Sequence, residues 1–337
     1  MDAVSPAMKH AIAVGIGLFI AFIGLQNAGL ILKDSGTAVK LNAHFNSPDI
    51  GIFFFGLILT AGLQARGIRG GILWGIVGST ALSLLLRFTA PYLPAAMTGS
   101  DAFAHSALMT RFTIADRIFS SPPSLVPTFL KMDVVHALSA PMLPIVLIFF
   151  FMVLFDTMGT LIGVCEQAGL IKDNKLPRAK QALFSDAAGT TLGACLGTST
   201  VTSFIESAAG VEHGGRTGLT GLTVAFLFLL ALFFSPLVTM IGSYPPITAP
   251  ALVIVGFMMA RNVTKIEWAD LTESIPAFLT MIGIPLTFSI ADGLALGFVT
   301  YPIIKVFSGK GRQVGWLTAL LAVVLVAYFL FIRSRIS

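Results

Sequence analysis

The run IVLIFFFMVLFDTMGTLIGV, from Ile145 to Val164, constrains this chain more than any other stretch. It is long and apolar enough to cross a bilayer, and it holds one carboxylate, Asp156. At helical rise Asp156 lies roughly 16 Å past Ile145, near the middle of a ~30 Å hydrocarbon core. An ionisable group at that depth costs about 2.5–3.5 kcal/mol on insertion scales. A chain sustains that cost where a water path, a partner or a substrate meets the acid. The plainer alternative is an acid that bonds a neighbouring helix. A second acid, Glu206, follows in an irregular polar segment, and that favours a functional role.

Of the 337 residues, 55% are hydrophobic and 11% are charged, against about 25% charged in soluble domains. The composition therefore implies an all-α polytopic membrane protein whose partner is the lipid bilayer. The net charge of +5 does not argue for nucleic acid, because the basic residues cluster in short loops between spans. Cys165 and Cys195 lack any CxxC or histidine spacing and read as packing residues. No metal ligand set or cofactor motif is present in the pattern. The first apolar stretch, Ala11 to Leu32, contains Gln26 and Asn27 and reads as a span rather than a cleaved signal.

Taken in order, spans are expected near Met8–Leu32, Ile50–Ala65 and Gly70–Thr89. A Pro-rich, mixed-charge segment to about Ser139 reads as an extramembrane loop. The Asp156 helix follows, and then a small-residue helix near Gln181–Leu196 whose face suits close helix approach. Further spans are expected near Leu219–Pro236 and Ile247–Ala260. Ile275–Val306 is too long for one crossing, and Ser289–Gly293 is its natural break. The last apolar run is Trp316–Ile332. With Lys9 in the cytoplasm, alternation puts Arg66, Lys172, Arg216, Arg261 and Lys305 inside and the uncharged loop Leu237–Pro246 outside.

The segment Gly197–Gly215 is too polar to span alone. Thr198, Ser199, Thr200, Thr202, Ser203 and Ser207 surround Glu206. Extended backbone enters a membrane only where it lines a cavity or a substrate. The expected geometry is an extended piece, Gly197–Val201, then a short helix over Thr202–His213, a broken helix of the kind that builds midplane transporter sites. Two carboxylates, hydroxyls and free amides suit a flat, neutral, hydrogen-bonding heterocycle. Asp156 and Glu206 can also take up a proton, which links ligand to H+. Ordinary helix–helix bonding in lipid accounts for about half of the hydroxyls. Glu212 and His213 read as a solvated loop end and Glu166 as a cytoplasmic helix end. Asp292 caps or turns between spans. Thr160, four residues after Asp156, shares its helix face.

The stretches LFDTMGTLIGV, PRAKQALFSDAAGTTLGACLGTSTVTSFIESAAGVEHGGRTGLT, PALVIVGFMM and IPLTFSIADGLALGFVTYPIIK resemble the nucleobase–cation symporter family of xanthine/uracil permeases. The AzgA-like branch, which moves adenine, guanine and hypoxanthine, is the most similar. The resemblance implies part of a seven-plus-seven inverted-repeat fold. Residues 1–90 would be gate helices (segments five to seven) and 91–139 an extramembrane loop. Residues 140–240 would be core helices (segments eight to eleven, with ten broken). Residues 241–337 would be gate helices twelve to fourteen plus a C-terminal apolar helix. By motif, Asp156 and Glu206 match the acids that hold the nucleobase, and Thr200–Ser203 match the strand beside it. Ser199 and Thr160 complete the implied substrate set, and Val153 stands where many members carry a polar residue. The resemblance implies that the chain begins just before the family's fifth segment and lacks the first four.

These features imply secondary transport of a purine base through the inner (plasma) membrane, with H+ or Na+ as the coupled ion. A homodimer is also compatible. An alternative is a non-transporting remnant or accessory membrane subunit. An intramembrane aspartyl hydrolase is disfavoured, because the Gly-x-Gly-Asp pattern is absent; no enzymatic activity is expected.

Overall fold

A computed structural model describes residues 4–92, 101–172 and 176–327. Helix α1 spans Pro6–Asn27 and is followed by an antiparallel hairpin, β1 (Ile31–Asp34) and β2 (Ala38–Leu41). Then come α2 (Pro48–Ala65), α3 (Gly71–Thr89), α4 (Leu143–Gln167), α5 (Ala179–Leu196) and α6 (Ser207–Glu212). The chain continues through α7 (Gly218–Ala231), α8 (Ser235–Ser243), α9 (Ala249–Ala260), α10 (Leu271–Thr287), α11 (Ile290–Phe307) and α12 (Trp316–Ala327). Single-turn helices lie in the segment between α3 and α4.

Among the described residues the fold is all-α but for the hairpin, as composition implies. Among the described residues, four helices are long and apolar enough to cross a membrane: α1, α2, α3 with its short extension, and α11. The pair α7 and α8 makes a fifth if counted as one span. That pair corrects the expected span Leu219–Pro236. The chain bends by 93° between Ala231 and Ser235 and runs on to Ser243. Pro236 in the first turn of α8 is the local reason, since its ring cannot continue a helix but fits a helix start.

The chain divides into two compact units. One comprises residues 1–19, 124–212 and 258–337, and the other residues 20–123 and 213–257. In the first unit, Ala7, Ala11 and Val14 of α1 pack with Ala277 and Met281 of α10. The break between α10 and α11 is sharp. Phe288 adopts a left-handed φ of 53°, and Ser289 caps α11 by accepting from the Asp292 amide at 3.1 Å. The two helices then fold back so closely that a Cβ on Gly293 would run into the Ile284 backbone. Helix α4 meets the same structure through small residues: a Cβ on Gly159 would stand 2.8 Å from Ile290, and one on Gly163 3.4 Å from Ile16. Gly197 ends α5 at φ 82° beneath Thr128, whose hydroxyl donates to Leu196 O at 2.9 Å.

The entry to α10 is held electrostatically. Asp270 accepts from the Thr272 hydroxyl at 2.7 Å and the Thr272 amide at 3.0 Å, and Lys310 donates to it at 3.0 Å. These bonds, the Thr272 hydroxyl first, hold the Asp270 carboxyl well below the usual carboxylate range. A depressed folded value means the contribution is present above the ordinary pKa of about 4 and is lost as pH falls through the folded value. Because Asp270 is solvated, the effect is modest. The melting temperature of detergent-solubilised wild type is expected to exceed that of Asp270→Asn near neutrality, with the gap closing as pH drops below about 4; a gap independent of pH would contradict the linkage.

In the second unit, Asp49 at the start of α2 accepts from the amides of Ala107 at 2.7 Å and Leu108 at 3.0 Å and from the Tyr244 hydroxyl at 2.6 Å. Around it pack Ile52, Leu108, Phe112, Met240 and Ile247. Helices α2 and α3 approach where Gly56 faces Ser79 and Gly75 faces Thr60. At the bend between α7 and α8, the Ser120 amide donates to Phe233 O at 2.9 Å and its hydroxyl meets that of Ser235. The hairpin turn is built by Asp34, which accepts from Gly36, Thr37 and Lys40.

Candidate functional site

Asp156 sits about halfway along α4 and lines a cleft of about 320 Å³ within the first unit. Thr200 and Thr202, from the extended stretch after α5, line the same cleft. So do Phe19, Phe149 and Phe288, and Ser289 and Ala291 at the start of α11. Phe19 and Phe288 meet edge to face, centroids 5.7 Å apart. The cleft thus offers one carboxylate, three hydroxyls and an aromatic lining, a set suited to a flat ring with N–H groups on its rim.

The extended stretch differs from its expected form. Backbone from Thr198 to Phe204 is non-helical, and α6 covers only Ser207–Glu212 instead of Thr202–His213. The side chains of α5 explain this. Thr190 donates to Val201 O at 2.8 Å, and Asp186 accepts from the Ser203 amide at 3.1 Å. Backbone groups that a helix would satisfy internally are therefore satisfied by α5. Asp186 also accepts from the Thr157 hydroxyl of α4 at 2.9 Å. It lines a second cleft of about 330 Å³ with Ser185, Thr202 and Ser203. Thr202 is shared by the two clefts, so the Asp156 and Asp186 clefts adjoin along this strand-like stretch.

The structure brings Asp156, Thr200 and Thr202 to one cleft, and Ser203 to the adjoining one. Thr160 is buried inside the packing of α4, and Ser199 is exposed. Glu206 is exposed on the turn before α6 and lines neither cleft. Asp186, Phe19 and Phe288 escaped the sequence reading. Asp186 carries a usable signal, a lone carboxylate in the otherwise uncharged stretch Gln181–Leu196. Glu212, read as a solvated loop end, accepts from Gln167 at 2.9 Å and pairs with Arg261 at 3.3 Å. Glu166, read as a cytoplasmic helix end, is buried between His10 at 3.0 Å and Lys265 at 3.1 Å.

The chain is thus a mostly helical, apolar membrane protein with an acidic, aromatic-lined cleft beside irregular backbone. The chain belongs to the xanthine/uracil permease family: a model of it, described as a permease family, matches residues 1–296. It is 48% identical to a permease of Methanocaldococcus jannaschii, over 97% of this chain and 70% of that protein. It is 40% identical to the guanine/hypoxanthine permease PbuO of Bacillus subtilis, over 96% of this chain and 70% of the relative. The adenine permease AdeP of Escherichia coli is 36% identical over 98% of this chain and 68% of its own length.

Proposed function

We propose that the protein carries purine nucleobases across the cytoplasmic membrane together with protons. The observation that carries this is the Asp156 cleft: a mid-helix acid facing Thr200 and Thr202 with aromatic rings beside them. Asp156 accepts N–H bonds from the purine rim. Thr200, Thr202 and the neighbouring backbone bond its other edge. Relatives named for guanine, hypoxanthine and adenine support a purine as the ring. Glu206 serves as the second acid, drawn toward the base when substrate enters, and Ser199, Ser203 and Thr160 tune the surrounding polarity. Residues 140–240 form the moving core, and residues 1–90 and 241–337 form the gate, through which two copies pair. Neutralising Asp156 or Glu206 with a proton lowers the cost of carrying the loaded site through the membrane.

Labelled hypoxanthine uptake tests this, in cells devoid of their own purine permeases. An inward proton gradient is expected to accelerate uptake and a protonophore to suppress it, with no response to replacing Na+ by K+. Uptake that follows Na+ and ignores the protonophore would overturn the proton assignment. Absence of any purine uptake would overturn the function.

A further inference from the structure

An apolar groove of about 440 Å³ runs between α11 and α12, away from the Asp156 cleft. Val299, Pro302 and Val306 line it from one helix, and Ala322, Val323 and Val326 from the other. From Val299 to Phe307 the groove follows α11 for roughly 12 Å, close to the ~15 Å of hydrocarbon in one leaflet. One end reaches Phe307, the last residue of α11, and the loop that follows leads to Trp316, which is 77% exposed.

The cations near that end of α11 differ in whether they are paired. Lys305 pairs with Glu273 at 2.8 Å and Lys310 with Asp270 at 3.0 Å. Arg312 is exposed, and among the described residues no carboxylate pairs with it. Beyond the end of α11, where Gly311 packs against Val306 of the groove, the exposed Arg312 thus carries a charge that no described carboxylate offsets. An exposed tryptophan at the start of α12 fits a membrane interface.

We infer that this groove is a binding site for an anionic phospholipid of the inner leaflet. One acyl chain lies between α11 and α12, and the headgroup phosphate meets the Arg312 guanidinium, which bonds phosphate oxygens in a fork. The site does not depend on purine transport, and failure of purine uptake would leave it standing.

Native mass spectrometry of the full chain in detergent tests it, with phosphatidylglycerol and phosphatidylcholine of identical acyl chains as probes. The wild-type protein is expected to retain phosphatidylglycerol preferentially. Arg312→Gln should lower that preference about fivefold, the equivalent of ~1 kcal/mol per basic residue at a charged surface. Val323→Trp, which fills the groove, should reduce binding of both lipids. Because Arg312 is exposed on a loop, its variant decides the matter even if Val323→Trp does not fold. Equal retention of the two lipids by wild type, or an unchanged preference in Arg312→Gln, would overturn the site. So would a dimer that Val323→Trp dissociates without loss of lipid, which would assign the groove to a second copy.

Discussion

Replacing Asp156 with Asn is expected to bring purine uptake down to background while the protein still reaches the membrane. The substitution keeps size and shape but exchanges an acceptor-only carboxylate for an amide that must present a donor to part of the purine rim. A hydrogen bond to a charged partner is worth about 1.5–3 kcal/mol, so substrate affinity should fall roughly 10- to 100-fold. Under the proposed proton coupling, proton uptake at this position is lost as well, which removes the driving force along with the binding. Among the described residues Asp156 accepts no hydrogen bond that holds the fold, and its side chain is only half-buried in the cleft. Expression and melting temperature should therefore stay near wild type. Uptake that survives in Asp156→Asn would show that α4 carries its acid for packing alone.

Gly293→Val is expected to have the opposite profile, with the fold lost first. The α10–α11 turn places the Gly293 Cα against the backbone of Ile284, where any Cβ overlaps backbone atoms that have no rotamer to yield. Overpacking of this kind costs about 3 kcal/mol or more. The turn also presents Phe288, Ser289 and Ala291 to the Asp156 cleft, so any opening of α10 from α11 displaces one wall of the site. Fluorescence-detected gel filtration should show aggregated Gly293→Val. Gly210→Ala, at a position with open space around it, should run as wild type. A monodisperse, stable Gly293→Val would contradict the close α10–α11 packing.

How much of this was legible in the sequence depended on whether the signal was local. The break at Ser289 was legible, because a Ser cap with Asp292 three residues on writes a helix start in one short stretch. Asp156 stood out because charge inside an apolar run is rare. The hairpin was missed: Asp34-Ser35-Gly36-Thr37 is turn chemistry, but it lies between two long spans where a connecting loop is the default. The bend before Ser235 was missed because Leu230–Phe234 continues a helical apolar run, and Pro236 was taken as an end instead of a new beginning. The length of the extended stretch was not legible at all. It rests on Thr190 and Asp186 reaching Val201 and Ser203 from a neighbouring helix, and pairing between helices leaves no mark in either segment. Asp186 was legible as a lone carboxylate in an uncharged stretch and was passed over; its bonds to α4 and to the stretch beside the cleft were not legible.

The most direct measurement is equilibrium binding of labelled hypoxanthine to the purified protein, with guanine, adenine and uracil as competitors. Saturable binding is expected, displaced by purines and weakened at least tenfold by Asp156→Asn. Wild-type and Asp156→Asn protein that bind hypoxanthine equally well would mean that no purine sits between Asp156 and the Thr200–Thr202 backbone.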